Sequence, residues 1–285
     1  MNDMTKTVLV TGGNSGIGLA IAHEMARRLP AGSVLCLASR NRQKMESARA
    51  EILARAPGAI VELYELDLAS LAKIRAFATD FLARHPRLDV LVNNAGAFPD
   101  KQQFTADGYE FQFGANYLGP FLLTHLLLPA LRAGDDGRIV NMASMMHALG
   151  KIDPATFRGR KPYIGVRAYA QSKLGNLLFS NALARRLDGI TSNAMHPGGV
   201  NSSIYDELPR WQFALLRPFL VGPEPAAKLA TDLALLPEHR QTSGRYFSIQ
   251  TPAFASPRAR SREQQEKLYN DSCALLGIEA LPPLR

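Results

Sequence analysis

The 285-residue sequence predicts an α/β fold, a doubly wound parallel sheet of about seven strands in a single domain. Three observations predict it. Short apolar, β-rich runs alternate with helical patterns along most of the chain, as in βαβ units. The first such run, Val8-Leu9-Val10, enters the turn Thr11-Gly12-Gly13-Asn14-Ser15-Gly16-Ile17-Gly18, which opens directly into a helical pattern. Polar and glycine-rich clusters follow the strand candidates, and ligands of such sheets sit beyond the carboxyl ends of the strands.

The first strand candidate, 7–11, leads through the glycine turn to a helix at 17–29. Gly12 suits the tight turn, Gly16 a close approach of backbone to phosphate, and Gly18 close packing of helix on strand. Free N–H groups and the dipole at that helix start favour a pyrophosphate, so Asn14, Ser15 and Ile17 join the three glycines as cofactor-binding candidates. The second strand, 33–38, precedes a helix at 41–56. NAD sites place a carboxylate just past this strand. Here the residues are Ala38-Ser39-Arg40-Asn41-Arg42, with no acid. Arg40 can pair bidentately with a 2′-phosphate and Ser39 adds a hydroxyl, so NADP(H) is the expected cofactor. Arg42 and Lys44 are alternative phosphate anchors.

The third strand, 60–65, precedes Asp67-Leu68 and a helix at 70–84; Asp67 is a cofactor contact or a cap for that helix. The fourth, 89–93, runs into Asn93-Asn94-Ala95-Gly96 and is followed by a long helical pattern at 108–132 that contains Asn116. The fifth, 138–143, ends at Ser144. A helix at 168–187 carries Tyr169-Ala170-Gln171-Ser172-Lys173. The sixth strand, 190–195, precedes Pro197-Gly198-Gly199-Val200, and a helix at 223–236 and a seventh strand at 245–249 complete a core of about 7–250. Two connections are long, 145–167 and 201–222. The second holds Trp211, Phe213, Leu215, Leu216, Phe219 and Leu220, and it is expected to act as a lid. The tail, 251–285, reads as a peripheral extension.

The i, i+4 spacing puts the Tyr169 phenol and the Lys173 ammonium on one helix face. A free tyrosine titrates near ~10, and a neighbouring cation favours its phenolate. Such a phenol can exchange a proton with a carbonyl or alcohol oxygen while hydride moves to or from a cofactor. A serine hydroxyl such as that of Ser144 can hold the same oxygen.

Bulk properties narrow the class. Hydrophobic content is 46% and charged content 20%, ordinary for a globular domain. The net charge is +8, but no nucleic-acid motif accompanies the basic run Arg158-Gly159-Arg160-Lys161, so a solvated basic loop or attraction of an anionic cofactor explains the excess better than nucleic acid. Cys36 and Cys273 form no disulfide framework and no zinc spacing, and they read as reduced thiols of a cytoplasmic protein. No metal is expected. The apolar stretch Tyr117 to Leu131 is too short to span a bilayer, so no membrane span is expected either.

The ordered set Thr11-Gly12-x-x-x-Gly16-x-Gly18, Asn93-Asn94-Ala95-Gly96, Asn116, Ser144, Tyr169-x-x-x-Lys173 and Pro197-Gly198 resembles the short-chain dehydrogenase/reductase family, over roughly residues 7–250. The resemblance implies a Rossmann-type fold and a set of roles. Tyr169 is the proton donor or acceptor. Lys173 binds the nicotinamide ribose and lowers the tyrosine pKa. Ser144 orients the substrate carbonyl, and Asn116 holds a water that links Lys173 to solvent. Asn93, Asn94, Ala95 and Gly96 line the cofactor and stabilise the sheet, Asp67 lies where the family contacts adenine, and Val200, after Pro197-Gly198-Gly199, presents backbone to the carboxamide; Leu68, Pro197 and Gly198 are further cofactor-binding candidates. Ser202 stands where the family often has threonine. The 25-residue step from Ser144 to Tyr169, with Leu174-Gly-Asn-Leu-Leu-Phe179 and Ser243-Gly-Arg-Tyr-Phe247, is similar to the retinol dehydrogenase-like and protochlorophyllide reductase-like branch. That branch implies a lipophilic aldehyde, ketone or alcohol as substrate. The family also makes its dimer or tetramer contacts through helices equivalent to 108–132 and 168–187, so a homodimer or homotetramer is expected. A non-catalytic NADPH sensor, a double-bond reductase and an epimerase on the same scaffold are the alternatives.

Overall fold

A computed structural model describes residues 4–199, 221–249 and 253–284. Seven parallel strands form one sheet: β1 (Thr7–Thr11), β2 (Val34–Ser39), β3 (Ile60–Glu65), β4 (Val90–Asn93), β5 (Gly137–Met142), β6 (Ile190–His196) and β7 (Tyr246–Ser248). Their order is β3-β2-β1-β4-β5-β6-β7. All seven lie where the alternation of apolar runs predicts them. Parallel strands covered on both faces read as continuous apolar runs. Val8, Leu9 and Val10 are all fully buried, with Leu9 facing one core cluster and Val8 and Val10 the other.

The helices sort by face. α1 (Gly16–Arg28), α2 (Arg42–Arg55) and a helix at Glu224–Leu235 cover the face of Val8 and Val10. α3 (Leu71–Arg84), α4 (Gly119–Ala133) and α5 (Gly165–Ala184) cover the other. With α6 assigned to Glu224–Leu235, the tail adds α7 (Pro257–Arg260) and α8 (Arg262–Leu276). Strand order reverses between β1 and β4, and this opens a crevice at their carboxyl ends.

Three elements differ from the sequence expectation. The pattern at 108–132 is not one α-helix. It starts with a single turn, Phe111–Phe113, passes through a π-helical turn, Gly114–Leu118, and only then becomes α4. The wholly buried Glu110 carboxylate caps this start, accepting from the N–H groups of Gln112 (3.0 Å) and Phe113 (2.8 Å).

The long connection 145–167, a plain loop by its sequence, contains the short helical turns Met145–Leu149 and Pro154–Thr156 and is fastened to the fold. Phe157 stacks on Phe113 with centroids 3.8 Å apart, the Tyr163 hydroxyl donates to Glu110 at 3.2 Å, and Gln112 Nε2 donates to the Gly165 carbonyl at 3.0 Å. Of the other connection, residues 201–220 lie outside the described residues, and so does the lid expectation for them.

The tail lies outside the sheet, yet α8 is part of the core: Leu268, Tyr269, Cys273 and Leu276 are buried in the cluster that includes α4 and α5. Ser272 Oγ lies 2.7 Å from the Tyr117 hydroxyl, the Tyr269 hydroxyl lies 2.8 Å from His125 Nε2, and Arg185 and Arg186 pair with Glu266. α8 thus packs on α4 and α5 as part of the core rather than as a peripheral extension. Among the described residues no helix is long and apolar enough to cross a membrane.

Candidate active site

The crevice above the sheet is a cleft of about 790 Å³. Its floor is built by the strand ends. At the end of β1, Gly12 takes φ +66 and its N–H donates to the Ala38 carbonyl at 2.8 Å, closing the turn against β2. Gly18 then allows α1 to approach: a Cβ there would lie 2.1 Å from the Gly12 carbonyl oxygen and 2.5 Å from Asn94 Nδ2. Ser15 sits at the N-cap of α1 without spending its side chain on a cap bond. Gly12, Asn14, Ser15, Gly16, Ile17 and Gly18 all line the cleft, so the helix start faces it. This cradle fits a diphosphate, through free N–H groups and the positive end of the helix dipole.

Next to it, Ser39, Arg40, Asn41 and Lys44 line the end of the cleft past β2. Arg42, an alternative anchor on sequence grounds, is instead held by Glu46 at 2.7 Å and is not among the lining residues. Asp67 and Leu68 line the cleft past β3. Asp67 Oδ1 accepts from the Ala69 N–H at 3.0 Å, while the N-cap of α3 is Ser70, so the capping alternative for Asp67 is displaced by three residues.

Past β4, Asn94 fastens two strands together: its N–H donates to Thr11 Oγ1 at 3.0 Å and its Nδ2 to the Thr11 carbonyl at 2.9 Å. Asn93 lies beneath, donating to Thr124 Oγ1 and Asn141 Oδ1, both at 3.0 Å. Ala95 and Gly96 complete that wall. Asn116, carried on the π-helical turn, clasps Ala97 with both ends of its amide: Oδ1 accepts from the Ala97 N–H and Nδ2 donates to the Ala97 carbonyl, each at 2.8 Å. Single π turns inside helices recur at functional sites.

Ser144, Tyr169 and Lys173, drawn from β5's end and α5, line this same cleft. Ser144 is extended at the start of the turn Met145–Leu149, and its Oγ accepts from the Met146 N–H at 3.2 Å. Accepting there leaves the hydroxyl proton to be donated elsewhere. Lys173 is 2% exposed, and its Nζ donates to the Met142 carbonyl at 3.0 Å. Nζ also lies 5.4 Å from the centroid of the Tyr169 ring. Burial alone pulls the ammonium pKa from 10.5 down to about 8. Phe98 packs edge-on against Tyr169, centroids 5.1 Å apart.

Every predicted site residue among those described lines the cleft; Val200 and Ser202 lie outside the described residues. The sequence reading missed His196 and the apolar wall of Phe98, Phe111, Met145, Met146 and Val166. His196 ends β6 directly before Pro197-Gly198, and that position was the available signal. It is buried, neither ring nitrogen has a hydrogen-bond partner among the described residues, and burial, with the Lys173 charge, pushes its pKa down to about 4. Away from the cleft, Cys36, Glu62 and His85 gather three ligand-type atoms, and the Tyr64 hydroxyl ties Glu62 and His85 together at 2.8 and 2.7 Å.

Comparison with known proteins gives the same grouping. The short chain dehydrogenase family model matches residues 6–212. Retinol dehydrogenase 12 of Mus musculus is 42% identical over 280 residues, covering 96% of this chain and 87% of the relative. Among solved structures, a putative uncharacterized protein from Mycobacterium paratuberculosis aligns with a TM-score of 0.77 at 32% identity, covering 98% of this chain and 95% of that one. A short chain dehydrogenase from Burkholderia cenocepacia, solved in complex with NADP, aligns with a TM-score of 0.69 at 26% identity, covering 86% and 96%. The chain belongs to the short-chain dehydrogenase/reductase family of oxidoreductases, in its retinol dehydrogenase-like branch.

Proposed function

We propose that the protein is an NADP(H)-dependent oxidoreductase that interconverts a carbonyl and an alcohol on a lipophilic substrate. The observation that carries this reading is Lys173: a buried ammonium held by a backbone carbonyl, with no carboxylate paired to it among the described residues, on the helix face of Tyr169. Such a charge is costly to bury, and perturbed groups of this kind in a cleft mark functional sites.

The residues divide the work. Gly12, Asn14, Ser15, Gly16, Ile17 and Gly18 hold the diphosphate, and Asp67, Leu68, Asn94, Ala95, Gly96, Pro197 and Gly198 line the rest of the dinucleotide's path. Ser39 and Arg40 hold the 2′-phosphate, with Lys44 close by. The absence of an acid after β2 and the NADP in the Burkholderia cenocepacia relative support NADP(H) over NAD(H). When bound, the cofactor supplies or accepts hydride.

Lys173, protonated at neutral pH, binds the ribose and favours the phenolate of Tyr169 through its charge. In reduction, Tyr169 gives its hydroxyl proton to the carbonyl oxygen; in oxidation, its phenolate takes the proton from the alcohol. Ser144 donates to the same oxygen. Asn116 acts by holding the Gly96–Ala97 segment around the ammonium, on the route from Lys173 to solvent; a Cβ on Gly96 would lie 3.5 Å from Nζ and 3.8 Å from Asn116 Oδ1. Val200 keeps its assignment to the carboxamide, and Ser202 stays a cofactor-binding candidate. Phe98, Phe111, Met145, Met146 and Val166 supply an apolar wall for a lipophilic substrate, in keeping with the retinol dehydrogenase names of the relatives.

The test is NADPH oxidation at 340 nm with a panel of aliphatic, aromatic and polyene aldehydes and ketones, with product analysis. Alcohol formed one-for-one with NADPH consumed is the expected result. NADPH binding without turnover across the panel points to a sensor, and a saturated or epimerised product to the other chemistries.

A further inference from the structure

We propose that His147 is a positioning residue for this reaction, clamping the Ser144 backbone and tying the active-site turn to the C-terminal tail. The inference rests on the role given to Ser144 above. His147 is 1% exposed, beneath the cleft, and packs edge-on against Tyr246 with centroids 5.1 Å apart. Its two ring nitrogens have different partners. Nε2 lies 3.0 Å from the backbone N of Ser256, and Nδ1 lies 2.7 Å from the Ser144 carbonyl oxygen. A backbone N–H can only donate and a carbonyl can only accept. Nε2 is therefore the bare nitrogen, and Nδ1 carries the proton that it donates to Ser144. The partners alone determine the tautomer. Burial also lowers the imidazole pKa, which keeps the ring neutral as this arrangement requires.

The clamp acts where position matters. The Ser144 carbonyl accepts a second bond, from the His147 N–H at 3.0 Å, and Ser144 Oγ accepts from Met146. Carbonyl and side chain of Ser144 are thus both held, leaving the hydroxyl proton for the substrate oxygen. A shift of about 1 Å in such a group costs on the order of 100-fold in rate. The far end of the clamp, Ser256, caps α7 (Pro257–Arg260), and the Arg258 guanidinium donates to the Gly150 carbonyl at 2.9 Å, at the other end of the same turn. The tail therefore supports the turn that carries Ser144, besides filling the core.

The experiment compares wild type with His147→Asn and His147→Leu. Asparagine places an N–H donor where Nδ1 stood; leucine has similar size and no donor. Turnover with NADPH, KM for NADPH, NADPH affinity by fluorescence and the histidine tautomers by ¹⁵N NMR are the readouts. The expected result is a kcat lowered roughly 10- to 100-fold in the leucine variant with NADPH affinity unchanged, and recovery to within about 3-fold of wild type in the asparagine variant. If the leucine variant does not fold, His147→Gln replaces it; that side chain reaches Ser256 but moves its donor past Ser144, and it is expected to be as slow. Equal kcat in the donor and non-donor variants, at any level, overturns the proposal. A protonated Nε2 on His147 overturns it whatever the rates. A wild-type protein inactive on the whole panel overturns the reading of Ser144, and with it this role; an active wild type with a fully active leucine variant overturns the His147 role alone.

Discussion

Replacing Lys173 with methionine should stabilise the fold while ending turnover. The ammonium is 2% exposed, and burial lowers its pKa from 10.5 to about 8. Between those values the unfolded chain holds a proton that the folded chain has lost, so this group's contribution to stability rises with pH across that window. Below the folded pKa the whole penalty for burying the charge is present. The fall from 10.5 to about 8 corresponds to about 3 kcal/mol. The substitution leaves no orphan behind: the Met142 carbonyl that accepts from Lys173 Nζ also accepts from Asn176 Nδ2 at 3.1 Å. Urea unfolding of the two proteins at pH 7 should therefore show the methionine variant more stable by roughly 2–3 kcal/mol. Repeated at intervals up to pH 10.5, the difference should shrink toward zero, because the wild-type penalty is relieved there while the variant has none. Its kcat should fall on the order of 1000-fold. A variant less stable than wild type at pH 7, or a stability gain that stays constant with pH, refutes the reasoning.

Two further substitutions test the cofactor end of the cleft. Arg40→Asp should shift the ratio of kcat/KM for NADPH to that for NADH roughly 10- to 100-fold toward NADH, the scale of a lost charge-assisted hydrogen bond, read from initial rates with each cofactor. Gly18→Ala places a methyl group 2.1 Å from the Gly12 carbonyl. It should lower stability by at least about 1–3 kcal/mol and weaken NADPH binding at least ~10-fold, measured by thermal unfolding and fluorescence titration.

The parts legible in the sequence are those with local causes. Parallel strands buried on both faces appear as unbroken apolar runs such as Val90-Leu91-Val92. The glycine spacing of the first turn reports its own backbone constraint, and the i, i+4 step reports the shared face of Tyr169 and Lys173. What was not legible depends on partners far along the chain. The contact between His147 and Ser256 spans 109 residues, and nothing near either of them announces it. The π-helical turn Gly114–Leu118 interrupts no apolar pattern, because all five of its residues are buried. The tail helix α8 begins with Arg262-Glu263-Gln264-Gln265-Glu266-Lys267, which reads as a solvated face. Its buried side chains, Gln265, Leu268, Tyr269, Ser272, Cys273 and Leu276, are spaced for one face but are partly polar. Their partners on α4 and α5 could be named only once the sheet order was in hand.

The central claim is that Tyr169 moves the substrate proton in a cleft that binds NADPH. It is tested most directly by Tyr169→Phe, which removes one oxygen and keeps the ring that packs on Phe98. Rates and NADPH affinity would be measured side by side on the substrate the wild type turns over fastest. The account predicts that kcat falls at least ~1000-fold while NADPH affinity stays within a few-fold of wild type. A phenylalanine variant that keeps the wild-type kcat would contradict it.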